Sequence, residues 1–193
     1  MTRRTGKDLT RRKALGTAIA CGLAGFAPGA APATTVKSLP RSMGPVTRRV
    51  VRYASAEVPG SIEVSNAARL LHLVLGDGMA AEYDISVGRE GFLWTGTTYV
   101  GRKAKWPDWR PPAEMRAREP GLPTHVPPGP YNPLGARAIY LFVGGRDTLY
   151  RIHGTNSAAT IGGFETAGCF RLSNADVLEL YERVETGAKV IVR

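Results

Sequence analysis

The sequence predicts a mostly-β domain with one short helix near its C-terminal end. Three observations carry this. Arg69–Leu75 and Met79–Val87 are extended apolar runs joined by Gly76-Asp77-Gly78, a hairpin pattern. Ala138–Val143 and Thr148–Ile152 repeat the pattern across Gly144-Gly145-Arg146-Asp147. Val177, Leu178, Leu180, Tyr181 and Val184 recur at helical spacing after Ser173-Asn174-Ala175-Asp176, a helix-start signal.

Taken in order, residues 1–33 read as an export signal. Arg3, Arg4, Lys7, Arg11, Arg12 and Lys13 precede an apolar run, Ala14 to Ala27, too short and glycine-rich for a span of about 20 residues. Ala31-Pro32-Ala33 is an A-x-A cleavage site. Thr10-Arg11-Arg12-Lys13-Ala14-Leu15 is similar to a twin-arginine signal, with Ala14 in place of a large apolar residue; the general secretory route is the alternative. Ala18-Ile19-Ala20-Cys21 lacks the leucine of a lipobox, so Cys21 is expected to leave with the signal. Residues 34–57, with little periodicity, read as a linker or N-terminal arm. The folded domain is expected over 58–193.

That domain opens with the strand signal Ser61–Val64 and the first hairpin. Gly91 to Met115 is polar, aromatic and proline-rich, and reads as a long loop. Its Trp106 and Trp109 either line a groove or anchor the loop. Residues 116–130, with Pro120, Pro123, Pro127, Pro128 and Pro130, form an irregular connection. The second hairpin follows. Gly187 closes the helix, and Lys189–Val192 is a last strand.

The chain holds 193 residues, 26 basic and 16 acidic, for a net charge of +10. Six of the basic residues and one acid lie in 1–33, which leaves +5 for the rest. That is a solvated surface, or an attraction to an anionic polymer such as cell-wall glycan. No basic helix, zinc spacing or RNA-reading strand points to nucleic acid. His72, His125 and His153 are widely spaced, without H-E-x-x-H or C-x-x-C, so no metal site is expected. No G-x-x-x-x-G-K-[ST] and no G-x-G-x-x-G is present, and no cofactor is implied. His72 reads as structural and His125 as a surface residue.

Chemistry concentrates between His153 and Leu172. Cys169, 16 positions after His153, is the only cysteine left once the signal is removed. A thiol is a good nucleophile at neutral pH only when something stabilises the thiolate or takes its proton, and a nearby imidazole does both. Gly162, Gly163, Thr166 and Gly168 let the backbone return toward His153. The cysteine is then expected in a tight turn just before the helix, with the Gly168 and Cys169 N–H groups open to a developing oxyanion. Thr166 and Asn156 are candidate hydrogen-bonding groups beside substrate. Arg171 either binds a substrate carboxylate or braces the loop.

His153-Gly154-Thr155 and Thr166-Ala167-Gly168-Cys169-Phe170-Arg171-Leu172 resemble the signature H-G-T…S-x-G-C-[IV]-R-[LM] of the L,D-transpeptidase (YkuD-like) family. Tyr131-Asn-Pro-Leu-Gly-Ala-Arg137 is similar to a second family motif, N-P-L-G-x-[RK], and the stretches Trp94–Thr97 and Lys103–Met115 resemble exported members. Many members carry a second histidine where this chain has Ala167. The resemblance spans about 58–193 and implies a mostly-β, sandwich-like fold with a short helix after the cysteine. It implies a peptidoglycan enzyme in which Cys169 is the nucleophile and His153 the proton acceptor and donor, oriented by the Gly154 backbone carbonyl. Attack on a tetrapeptide stem would release the terminal D-alanine. The acyl group would pass to an amine, giving a 3→3 crosslink or anchoring an outer-membrane protein or lipoprotein. Water as acceptor would make the protein a carboxypeptidase. The implied location is the periplasm or cell wall. Two other classes stand beside this one. An NlpC/P60-like endopeptidase usually places Cys before His, the reverse of the order here. A non-catalytic wall-binding module would not need the pair.

Overall fold

The structure, a computed structural model, describes residues 43–193. The export signal read over 1–33 lies outside the described residues. The described chain forms β1 (Arg49–Arg52), β2 (Ile62–Ser65), β3 (Leu70–Gly76), β4 (Met79–Asp84), β5 (Val87–Gly88) and β6 (Gly96–Lys105). Then follow α1 (Ala113–Arg118), β7 (Arg137–Val143), β8 (Arg146–His153), β9 (Phe164–Thr166), β10 (Phe170–Arg171), α2 (Asn174–Arg183) and β11 (Lys189–Val192). Nine strands make one mixed sheet in the order β1-β4-β3-β2-β11-β6-β7-β8-β10, and β5 pairs with β9 in a small parallel ribbon.

Both expected hairpins form, and their turns explain themselves. Gly76 faces Met79 across Asp77-Gly78, and Val143 faces Arg146 across Gly144-Gly145. All four turn residues have positive φ, between 51° and 77°. This is the twist-compatible two-residue turn, which glycine reaches without steric cost and Asp tolerates.

The sandwich expectation takes a particular form. Rather than two separate sheets, the long sheet curls until its ends meet. Ser86, just past β4, exchanges both backbone hydrogen bonds with Arg171 of β10, at 2.8 and 2.9 Å. One core results. It joins Ile62, Leu71, Leu73, Tyr83 and Ile85 from one half to Ile139, Leu141, Ile152, Phe170 and Leu172 from the other. α2 lies over β7 and β8, with Val177 and Leu180 fully buried. Ser173 caps it by accepting the Asp176 N–H at 3.0 Å.

Three readings need correction. Gly91–Met115 is not a single loop: β6 runs through it as a central strand between β11 and β7. Its alternation was hidden by Arg102, Lys103 and Lys105 and broken at Gly101, where the ladder shifts register. Gly101 packs against the Phe142 ring, where a Cβ would overlap it. Part of the 34–57 arm is β1, which pairs with β4. Only four residues long and mostly exposed, it left no periodic signal. Buried Asp176, at the N-terminus of α2, also fastens this arm by accepting Thr47 N–H at 3.0 Å and Thr47 Oγ1 at 2.8 Å. Finally, Cys169 does not sit directly before the helix. β10 intervenes, because Phe170 and Leu172 alternate into the core and draw that segment into the sheet.

Candidate active site

β8 and β10 run parallel, with Arg171 opposite His153 and Phe170 opposite Ile152. The chain return inferred from the glycines therefore places Cys169 at the entry of the strand that lies beside His153. His153 is the buried last residue of β8. Its Nδ1 lies 2.6 Å from the Gly154 carbonyl oxygen. A carbonyl only accepts, so Nδ1 carries the proton and Nε2 keeps its lone pair. Burial pushes the imidazole pKa down to about 4, the nearby Arg171 and Arg151 charges push the same way, and the Gly154 carbonyl opposes them. The ring is thus a neutral base at pH 7.

Cys169 is half-buried. Burial raises its thiol pKa, while the Arg151 backbone N–H and charge act against that rise. Both partners therefore rest neutral, which favours proton transfer during attack over a standing thiolate–imidazolium pair. The thiol also donates to the Leu149 carbonyl at 3.9 Å, a long contact to a residue in the left-handed region. Leu149 has φ of +64°, at the irregular stretch of the β7–β8 ladder.

The loop entering Cys169 is held from several sides. Thr166 Oγ1 donates to the Cys169 carbonyl at 2.6 Å and accepts the Gly168 N–H at 3.2 Å. The Gly168 N–H is therefore engaged within the loop and is not open to an oxyanion as expected. A hydroxyl two residues upstream closes a local turn around it. Gly168, at φ of +104°, passes against the Tyr150 ring, where any side chain would collide. Its carbonyl accepts the Trp94 indole N–H at 2.8 Å, and Trp94 stacks on Tyr150 with centroids 4.5 Å apart. Thr166 thus acts on the loop rather than facing substrate.

Arg171 donates to Thr160 Oγ1 at 2.6 Å and is half-buried, so in this structure it braces the turn at Ala158–Thr160. Asn156 is not gathered with Cys169. Its amide donates to the Tyr131 carbonyl at 3.0 Å, and it lines a separate cavity of about 330 Å³ with Thr155, Trp106 and Pro128. Cys169 opens instead onto a groove of about 770 Å³ lined by Trp106, Trp109, Tyr140, Tyr150 and Ala167. Trp109 also exchanges backbone bonds with Val126 at 2.9 and 3.0 Å, which ties its loop to the proline-rich connection rather than to the sheet. His125 pairs with Asp108 at 2.6 Å and His72 with Glu82 at 2.7 Å. No group of three or more metal-ligating side chains occurs among the described residues.

Sequence reasoning missed Asn174. Its Oδ1 accepts the Ala136 N–H at 2.8 Å and the Thr155 N–H at 3.1 Å, and its Nδ2 donates to the Thr155 carbonyl at 2.7 Å. It ties the first turn of α2 to the segment after His153. Gly135 and Gly154 pass so close that a Cβ on either would overlap Asn174. Asn132 similarly accepts the Leu134 N–H and donates to Pro107, Val126 and Pro127 carbonyls. The N-P-L-G stretch is thus the bed on which His153-Gly154-Thr155 lies. Asn174→Ala strands buried backbone groups at about 1–3 kcal/mol each. Urea unfolding should show a loss of about 3 kcal/mol or more; a loss below about 1 kcal/mol would contradict the clamp.

A cysteine just before β10 and a buried neutral histidine at the end of the adjoining β8 form a candidate nucleophile–base pair on one curled sheet. Residues 59–192 match the family model described as the L,D-transpeptidase catalytic domain, and the chain belongs to that family. It is 39% identical over 140 residues to the probable L,D-transpeptidase YbiS of Escherichia coli K12, covering 68% of this chain and 43% of that protein. The chain thus spans less than half of that curated relative. A crystal structure of a probable carnitine operon oxidoreductase from Brucella melitensis is 39% identical, with a TM-score of 0.53 over 79% of this chain and 97% of that one. The C442S mutant of the Enterococcus faecium L,D-transpeptidase, 20% identical, shares the fold with a TM-score of 0.54 over 70% of this chain and 50% of that one.

Proposed function

We propose that the protein is a peptidoglycan L,D-transpeptidase working through a Cys169 acyl-enzyme. The observation that carries this is the neutral His153, its Nδ1–H fixed on Gly154, on the strand beside Cys169. Sγ attacks the carbonyl of the stem's third residue as His153 Nε2 takes the thiol proton. The Cys169 backbone N–H meets the developing oxyanion. The C–N bond to D-alanine breaks, the imidazolium protonates the leaving amine, and a thioester remains. An acceptor amine, with Nε2 again as base, displaces the thiol to form the new amide.

The oxidoreductase name of the Brucella protein favours no second reading. The one G-x-G in this chain, Gly76-Asp77-Gly78, joins two antiparallel strands, whereas a dinucleotide turn joins a strand to a helix. We place the enzyme outside the cytoplasm, on the strength of Arg11-Arg12 and Ala31-Pro32-Ala33. N-terminal sequencing of the exported form should begin at or near Thr34, and a full-length cytoplasmic chain would contradict this.

Incubation with purified tetrapeptide muropeptides, read by mass, tests the activity. Crosslinked dimers lacking one D-alanine are expected. Tripeptide alone would make water the acceptor, and no product at all would overturn the reading.

A further inference from the structure

The groove over Cys169 has a charge pattern that the chemistry above does not use. Across β6, β7 and β8, Arg102 faces Tyr140 and Tyr140 faces Arg151. Cys169, one position before Phe170, comes next in this row, since Phe170 faces Ile152. Both guanidinium groups lie on the one tyrosine ring, Arg102 at 3.5 Å and Arg151 at 4.3 Å from its centroid. They differ in one respect. Arg151 is neutralised by Asp147 through bonds of 2.6 and 2.9 Å. Arg102 has no carboxylate partner among the described residues, nor do Lys105, Arg110 and Arg118, which line the same groove. The acids there are Asp108, already held by His125, and Glu114.

Strands lie about 4.8 Å apart, so a guanidinium drawn over the Tyr140 ring sits about 10 Å from the nucleophile's strand. An extended peptide covers about 3.3–3.6 Å per residue. The stem's third residue, held on Cys169, has only two residues before it, so its own side chain and that of its neighbour are the ones placed to reach toward Arg102. A planar cation fixed on an aromatic face is pre-organised for two-pronged binding of a carboxylate.

Resting on the transpeptidase reading, we infer that Arg102 receives a side-chain carboxylate of the acyl donor, so that stems with free side-chain carboxyls react in preference to their amidated forms. Amidation removes both the charge and one acceptor oxygen. The test uses the full chain and two synthetic tetrapeptide donors that differ only in side-chain amidation, with Cys169 acylation rates read by intact mass. The free-carboxyl donor should react about tenfold faster at low salt, the size of a lost charge-assisted hydrogen bond. The ratio should shrink at high salt because the groove is open to solvent. Arg102→Gln should bring the ratio close to one, and Arg102→Lys should restore part of it; Arg102 is exposed, so neither change disturbs the core. Equal rates for the two donors in the wild type would overturn the inference and leave the transpeptidase reading standing. A preference unchanged in Arg102→Gln would overturn the role of Arg102. Acylation by neither donor would remove this inference together with the reading beneath it.

Discussion

Cys169→Ala is expected to yield a folded protein that forms no acyl adduct with a tetrapeptide donor. The side chain is small and half-buried and takes part in no disulfide, so its loss leaves no large cavity. The covalent step, by contrast, needs its thiol, and Cys169 is the only cysteine among the described residues. Cys169→Ser keeps the shape but offers a hydroxyl far harder to ionise than a thiol, and should also remain unmodified. Intact-mass measurement after donor exposure decides the matter. An adduct that persists in Cys169→Ala would place the chemistry at another residue, and no adduct on the wild type would give the wall-binding reading priority.

His153→Ala should slow acylation by about 10²–10⁴-fold, or about 3–5 kcal/mol of barrier. Because the imidazole works as a neutral base with a pKa of about 4, the acid limb of the wild-type rate should fall near pH 4 rather than near 6.5. Stability follows the same group. The folded chain holds His153 neutral, while an unfolded chain takes up a proton near pH 6.5. Stability therefore declines as pH falls from about 6.5 to about 4, by about 3 kcal/mol in total. Thermal melts at pH 4 and pH 7 should differ less in His153→Ala than in the wild type. An acid limb near 6.5, or equal acid sensitivity in the variant, would contradict a buried neutral histidine.

What could be read from the sequence was local. Asp77-Gly78 and Gly144-Gly145 announce their hairpins because the turn geometry is written in the turn residues themselves. Cys169 and His153 stand out because a lone thiol, a histidine and clustered glycines are chemically unusual together. β6 was not legible: it is a strand because β11 and β7 flank it, and its basic residues mask the alternation. Asn174 was equally hidden, since an asparagine at a helix start looks like an ordinary capping residue until its partners at Ala136 and Thr155 are seen. Asn156 and Gly168 show the opposite failure. Proximity in sequence to the signature placed them at the reaction centre, whereas their hydrogen bonds direct them to Tyr131 and Thr166.

The closure of the sheet at Ser86 and Arg171 has a bearing on how the enzyme comes into being. These residues are 85 positions apart, and the strand that presents the nucleophile is completed only when they meet. Contacts of such long range carry the largest loop-closure entropy and are slow to form. Before they meet, β8 and β10 can already pair, but Phe170 and Leu172 lack the half of the core supplied by Leu71, Tyr83 and Ile85. The pairing that creates the site is thus local, and the packing that fixes it arrives with the long-range closure.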